Sequence, residues 1–206
     1  EERGNEMGDL FPLVGERRTE AYRMLHAVCR ILHDAQVPYV LEAGTLLGVV
    51  REDRLLPWDT DLDLTVTADH TDALLKCRWK IWKAGYRTRV RSFARDMGPF
   101  ARGLPRVLKV QTRKWGVLKD QGMMDIFIKY RVDDTYQWVV DEREPVLKLC
   151  PARFYDERST LRFDGHDVQV PADAEGYLAY HYGPDWRTPV KTWDYRLDDH
   201  CVKEPL

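Results

Sequence analysis

The stretch Pro57-Trp58-Asp59-Thr60-Asp61-Leu62-Asp63-Leu64-Thr65-Val66 carries more information than any other in this chain. Acidic residues alternate with threonine and leucine, and in an extended strand alternate side chains share one face. Asp59, Asp61 and Asp63 then line one side at ~6.5 Å intervals, while Leu62 and Leu64 anchor the other. Neighbouring carboxylates at that spacing repel by ~2.5 kcal/mol at an effective dielectric of ~20. A divalent cation is the economical way to offset that repulsion. Magnesium or manganese prefers hard oxygen ligands and is commonly held by one or two carboxylates with phosphate oxygens and water. The competing reading is a solvated strand end whose aspartates face water or pair with Arg51 and Arg54.

Two other features favour the metal reading. Asp125 is the only charge in Met123-Met124-Asp125-Ile126-Phe127-Ile128, and a lone carboxylate in an apolar strand is costly without a partner. If its strand lies beside the Asp61/Asp63 strand, Asp125 completes a three-carboxylate site or serves as general base for an acceptor hydroxyl. A buried Asp paired with Arg or Lys is the alternative. The second feature is Gly44-Thr45-Leu46-Leu47-Gly48, which leaves an apolar strand and enters a helical turn. Helix starts offer free N–H groups to phosphate, and glycine permits close approach. The Gly-Lys-Ser/Thr ending of a P-loop is absent. Arg51 is placed to clamp a phosphate bidentately, with a salt bridge to Asp53 or Asp59 as its bland reading. Lys109, within Val107-Leu108-Lys109-Val110, and Lys119 are further phosphate candidates.

Working outward, apolar residues at three- and four-residue spacing predict an amphipathic helix over 16–35, ended before Pro38. Strands are expected at 39–41, 62–66, 86–93, 107–112 and 123–130, with weaker ones at 135–140 and 161–170. Helices are expected at 71–84 and from Asp173 toward Tyr182, followed by a polar tail. With no linker and no repeat, the pattern predicts one α/β (α+β) domain, residues 1–206, with a mixed sheet flanked by helices.

The 206 residues carry 32 basic and 34 acidic side chains, a formal net charge of −2, so nucleic acid is an unlikely partner for the whole molecule. From Lys76 to Arg95 the charges are all basic, interleaved with Trp79 and Trp82. A solvated helix and edge strand account for the arginines at 87, 89 and 91, and the two tryptophans read as core or helix packing. No run approaches the ~18 apolar residues of a membrane span. Cys29, Cys77, Cys150 and Cys201 form no Cys-x-x-Cys pair, which favours a reducing compartment. His166 and His181 lack the paired spacing of a zinc site, and a surface or supporting role is expected of them.

The run Gly44 to Arg51, followed by Pro57-Trp58-Asp59-Thr60-Asp61-Leu62-Asp63, resembles the signature of the LicD and fukutin-related family. Met124-Asp125-Ile126-Phe127 is similar to that family's later Asp-Ile-Phe strand. Val170-Pro171, Tyr177-Leu178, Tyr182-Gly183, Asp185-Trp186 and Pro189 resemble its closing segment, so the likeness spans about residues 22–189. The resemblance implies a nucleotidyltransferase-like core acting on a CDP-activated donor. Phosphocholine, ribitol phosphate or glycerol phosphate would pass to a glycan or glycoconjugate hydroxyl, with release of CMP. It assigns Asp61, Asp63 and Asp125 as metal and catalytic carboxylates for Mg2+ or Mn2+, with Asp59 as a further acidic contributor, and it turns Gly44, Thr45 and Arg51 toward the donor phosphates. The rival readings are a nucleotidyltransferase that expels pyrophosphate and a catalytically silent nucleotide- or phosphoglycan-binding module. A compact chain without an anchor points to the cytoplasm, with a trimmed lumenal domain of the secretory pathway as the alternative.

Overall fold

The computed structural model describes residues 12–114, 118–140, 144–190, 193–194 and 198–205. In chain order the elements are α1 (Gly15–Asp34), β1 (Val40–Leu41), α2 (Ala43–Glu52), β2 (Leu62–Thr67), α3 (Thr71–Lys76), α4 (Arg78–Lys83) and β3 (Arg87–Ser92). There follow β4 (Pro105–Lys114), β5 (Leu118–Val132), β6 (Thr135–Val140), β7 (Val146–Pro151), α5 (Arg153–Asp156), β8 (Arg158–Phe163), β9 (His166–Pro171), α6 (Ala174–Tyr182) and β10 (Val202–Pro205).

Among the described residues eight strands form one sheet, with the path β1-β2-β5-β6-β7-β10 and with β3-β4 joined to it through β5. Strands β2 and β5 run parallel, and the other named neighbours run antiparallel, so the sheet is mixed. A separate hairpin, β8-β9, docks beside β1, where Tyr39 and Gln169 exchange backbone and side-chain hydrogen bonds.

The alternation read in the sequence sorts the sheet into two faces. Leu62, Leu64, Leu108, Val110, Met124, Ile126 and Ile128 are all at most 1% exposed and pool with Met24, Leu25, Val28 and Leu32 of α1 in one core. The intervening positions, Asp63, Lys109, Asp125 and Phe127, stand on the opposite face, which is the one the cavity occupies. Burial of the apolar half of each strand thus fixes the side on which the charges emerge, because a one-residue slip would reverse every side chain.

Three expectations change. The predicted helix over 71–84 is two short helices. The N–H of Cys77 is shared between the carbonyls of Ala73 and Leu74, which tightens the turn between α3 and α4. Trp79 and Trp82 are not core residues: Ile81 is the buried residue of α4, and the indoles are 58% and 48% exposed and stack on each other. The weak strand over 161–170 belongs to the β8-β9 hairpin, which turns at Asp164-Gly165, both with positive φ as a two-residue hairpin turn requires.

The tail after Tyr182 is less solvated than its polar composition suggested. Strand β10 pairs with β7, Cys201 is fully buried, and Asp199 is buried beside Lys148. No described helix is long and apolar enough to cross a membrane.

Candidate active site

A cavity of about 760 Å³ opens on the charged face of the sheet. Its acidic wall is built by short-range connections. The N–H of Asp63 donates to the hydroxyl oxygen of Thr45 (2.9 Å), and the N–H of Glu42 donates to the carbonyl of Asp63 (2.9 Å), so β2 and the start of α2 hold each other in register. The approach to β2 is fixed by Leu13, whose N–H donates to the Asp59 carbonyl (2.8 Å), and by Arg17, whose guanidinium donates to the Thr60 carbonyl (2.7 Å).

Asp63 stands directly opposite Asp125 across the parallel β2-β5 pair, and Lys109 stands opposite Asp125 across the antiparallel β4-β5 pair. Asp59 and Asp61 complete the wall. Lys109 reaches both oxygens of Asp125, at 2.9 and 2.7 Å. Among the described residues, no ion pair reaches the Asp63 carboxylate. Burial pushes its carboxyl well above the usual range, and Asp61, Asp59, Asp125 and Glu42 push it further. Burial, then Asp125, raise Asp61 to about 6 despite the opposing pull of Lys109. Burial and Asp61 raise Asp59 to about 7.

This donor set fits a hard divalent cation, since the partly buried Asp59, Asp61 and Asp63, with Asp61 raising the pKa of the other two, become tolerable as anions only when positive charge joins them. Among the described residues, the groups whose ligand atoms lie within 4.8 Å of one another are His26, Asp164 and His166, and His181, Asp199 and Cys201. The oxygens of Asp61, Asp63 and Asp125 are more widely spaced than either group.

The remaining expected residues take distinct places. Gly44 lines the cavity, and a Cβ built on it would stand 2.2 Å from Oδ2 of Asp59, so the glycine is what admits that carboxylate. Thr45 lies beneath the site, 2% exposed, with its hydroxyl oxygen taken up by the Asp63 N–H. Arg51 lines the cavity but is bound to Glu52 (2.8 Å) and to the carbonyl of Trp186 (3.3 Å), which ties the end of α2 to the C-terminal wall. Its partner is therefore Glu52, neither Asp53 nor Asp59. The side chain of Lys119 lies outside the described residues.

The inner end of the cavity holds charges that sequence reasoning missed. Glu42 and Lys129 form a buried pair at 3.0 Å, and the Lys129 ammonium sits 3.4 Å from the centroid of the Trp138 ring and donates to the Tyr155 hydroxyl (2.7 Å). Burial pushes Glu42 up, but Lys129, Thr65 and Tyr177 outweigh it and hold the carboxyl below the usual range. Lys148 pairs with Asp199, and His181, of which a surface or supporting role was expected, is 4% exposed against them, in the supporting position. Tyr182 and Trp186 also line the cavity, as does Trp58, 54% exposed.

Comparison with known proteins bears on this arrangement. Residues 36–173 match the family described as LicD/FKTN/FKRP, nucleotidyltransferase domain. The chain belongs to that family. As a LicD-family domain it is similar to the ribitol-5-phosphate transferase FKTN of Macaca fascicularis, 26% identical over 191 residues, and to that of Homo sapiens, 25% identical over 191 residues. Each match covers 87% of this chain and 36% of the relative, so the chain spans about a third of their length. An uncharacterized protein, RT0683 of Rickettsia typhi, is 23% identical over 165 residues, covering 80% of this chain and 46% of that one. Among solved structures, that of ANT(2")-Ia in complex with adenylyl-2"-tobramycin aligns at a TM-score of 0.43 and 13% identity, covering 75% of this chain and 70% of the other.

Proposed function

We propose that this LicD-family domain transfers a substituted phosphate, of the phosphocholine, ribitol phosphate or glycerol phosphate type, from a CDP-activated donor to a glycan hydroxyl, releasing CMP. The observation that carries the reading is the register of Asp63 against Asp125 on adjacent parallel strands at the wall of a cavity large enough for a nucleotide donor. Asp61 and Asp63, with Asp59 beside them, would hold Mg2+ or Mn2+. The ion would neutralise charge on the donor's phosphate oxygens, which is what phosphoryl transfer most needs from a protein.

The chain's own groups supply the rest. Asp125 accepts the proton of the incoming hydroxyl, and Lys109, fixed on both its oxygens, orients it. Gly44 lets α2 start close to the reacting phosphates, since the helix begins at the cavity lining with Ala43 and Gly44. Arg51, Tyr182 and Trp186, which line the same cavity, would contact the donor. No covalent nucleophile is required. The four free cysteines are all buried, which accords with a reducing, cytoplasmic setting. A buried core continuous from Leu13 to Cys201 supports treating the chain as one domain.

The test is incubation of the protein with CDP-choline, CDP-ribitol and CDP-glycerol, with magnesium or manganese and a panel of glycan acceptors. CMP release that stops with a chelator is the expected result. Pyrophosphate released from CTP would replace this reading with nucleotidyl transfer, and metal-independent binding without turnover would make the chain a binding module.

A further inference from the structure

Two elements far apart in the chain bring three metal-ligating side chains together away from the cavity. His26 of α1, with Asp164 and His166 of the β8-β9 hairpin, each place a ligand atom within 4.8 Å of the other two, although His26 and Asp164 are 138 positions apart. None of the three lines the cavity. Packing brings the hairpin there. Phe163, 1% exposed, stacks on Tyr22 of α1 with centroids 5.7 Å apart, and the turn at Asp164-Gly165, both at positive φ, follows immediately. Burial of an aromatic ring thus seats the hairpin tip on α1 whatever the polar groups do.

The bonds within the group suit ligands. Nδ1 of His166 lies 2.8 Å from the backbone carbonyl of Asp164. A carbonyl only accepts, so that nitrogen carries the proton and the lone pair of the neutral ring is on Nε2. The same kind of outer hydrogen bond fixes the tautomer of metal-binding histidines. Nε2 of His26 lies 3.0 Å from Oδ2 of Asp164, and its Nδ1 is buried, so Nε2 is the end of the ring turned to the group. An ion pair between His26 and Asp164 accounts for two of these residues. It leaves out His166, whose ring stacks on His26 with centroids 3.8 Å apart. Two imidazolium charges at that separation would repel by ~4 kcal/mol at an effective dielectric of ~20. At least one ring is therefore neutral, the form that binds metal.

We propose that His26, Asp164 and His166 form a second metal site, separate from the acidic wall, which holds a transition ion of the zinc class through two imidazoles, a carboxylate and water and clamps the β8-β9 hairpin to α1. The proposal is independent of the transferase reading. Imidazole ligands suit zinc, cobalt or nickel, whereas the all-carboxylate wall suits magnesium or manganese. Seating the ion requires the stacked rings, 18° from parallel, to splay, and the exposed hairpin tip is where the chain yields most readily. Bridging positions so distant in sequence closes a long loop, the case in which a metal clip stabilises most. Among the described residues the other compact group, His181, Asp199 and Cys201, is a poorer candidate, since it is buried throughout and Lys148 already neutralises Asp199.

The test is titration of the metal-free full chain with Co2+, followed by visible absorption, and then with Zn2+, followed by thermal unfolding, both with Mg2+ in excess to occupy the acidic wall. Wild type binds Co2+ with a spectrum that lacks thiolate charge transfer, Zn2+ displaces it, and Zn2+ raises the melting temperature. Asp63→Asn, which alters the acidic wall, behaves the same way. His166→Gln weakens Co2+ binding at least about tenfold, since losing a ligand costs no less than losing an outer hydrogen-bond partner, and its melting temperature no longer responds to Zn2+. Asp164→Asn, whose asparagine tolerates the positive φ, supplies the same test should the histidine variant fold poorly. Equal Co2+ binding by wild type and His166→Gln, or no binding by wild type, overturns the site. A thiolate charge-transfer band would put the ion on Cys201, and loss of binding in Asp63→Asn would put it on the acidic wall; either result also overturns the proposal.

Discussion

Lys109 grips both carboxylate oxygens of Asp125 from the neighbouring strand, at 2.9 and 2.7 Å. A carboxylate held by both oxygens is oriented as well as charge-paired, and orientation is what a general base requires before anything else. Lys109→Met is expected to lower CMP release by about 10²-fold, while Lys109→Arg keeps at least part of that activity. Both partners are partly exposed, so urea unfolding of the Met variant should show a loss of only about 1 kcal/mol. A loss of activity that merely tracked the loss of folded protein would contradict the positioning role.

Two glycines of α2 should separate function from stability. A Cβ at Gly44 meets the carboxylate of Asp59, the movable end of a side chain, whereas a Cβ at Gly48 would stand 2.5 Å from the backbone carbonyl of Arg54. Gly44→Ala therefore displaces Asp59 and lowers activity at least tenfold, while alanine's higher helix propensity, worth up to ~1 kcal/mol, limits the effect on stability. Gly48→Ala forces backbone apart and destabilises by roughly 1–3 kcal/mol. Thermal melts and product assays on the two variants check the contrast.

The acidic wall makes a metal-free prediction with a definite sign. Asp61 and Asp59 have folded-state values near 6 and 7 against an ordinary 3.8, so between those limits the folded chain binds more protons than the unfolded one. Stability attributable to these groups then falls as pH rises through that window. Asp61→Asn should stabilise the metal-free protein by roughly 1–3 kcal/mol above about pH 7, have little effect near pH 4, and abolish turnover. Added Mg2+ should raise the melting temperature of the wild type and leave the Asn variant unchanged.

His181 acts in the opposite direction. Burial is the main cause that lowers it to about 4, outweighing Asp199 and Glu42, so the folded chain holds it neutral where the unfolded chain, near 6.5, would protonate it. Its contribution is present above about pH 6.5 and is lost as pH falls toward 4. In His181→Gln the acid-side decline in stability over that interval should shrink by roughly 2–3 kcal/mol; an unchanged acid limb in chemical denaturation would contradict the assignment.

The sheet's central strands were legible because their burial is one-sided. Alternation of Leu62 and Leu64 with Asp61 and Asp63 predicts both the strand and the face on which the acids emerge, and the structure places them so. Asp125 was found as a lone charge in an apolar strand. The same signal marks Lys129 in Ile126-Phe127-Ile128-Lys129 and Lys148 in Val146-Leu147-Lys148-Leu149, yet the buried Glu42–Lys129 and Lys148–Asp199 pairs went unread. Their partners are 87 and 51 positions distant along the chain, a pairing that no local period encodes. Strand β10 escaped for a related reason: its polar composition suits an edge strand as well as it suits a tail, and only the pairing with β7 decides between them.

The measurement closest to the centre of this account is the binding of Mn2+, followed by its electron paramagnetic resonance signal, to wild-type protein and to Asp63→Asn in the presence of CDP. Saturable Mn2+ binding to the wild type, lost in the variant while the variant's fold is retained, is the expected result. Equal Mn2+ binding by the two proteins, or none by either, would contradict it.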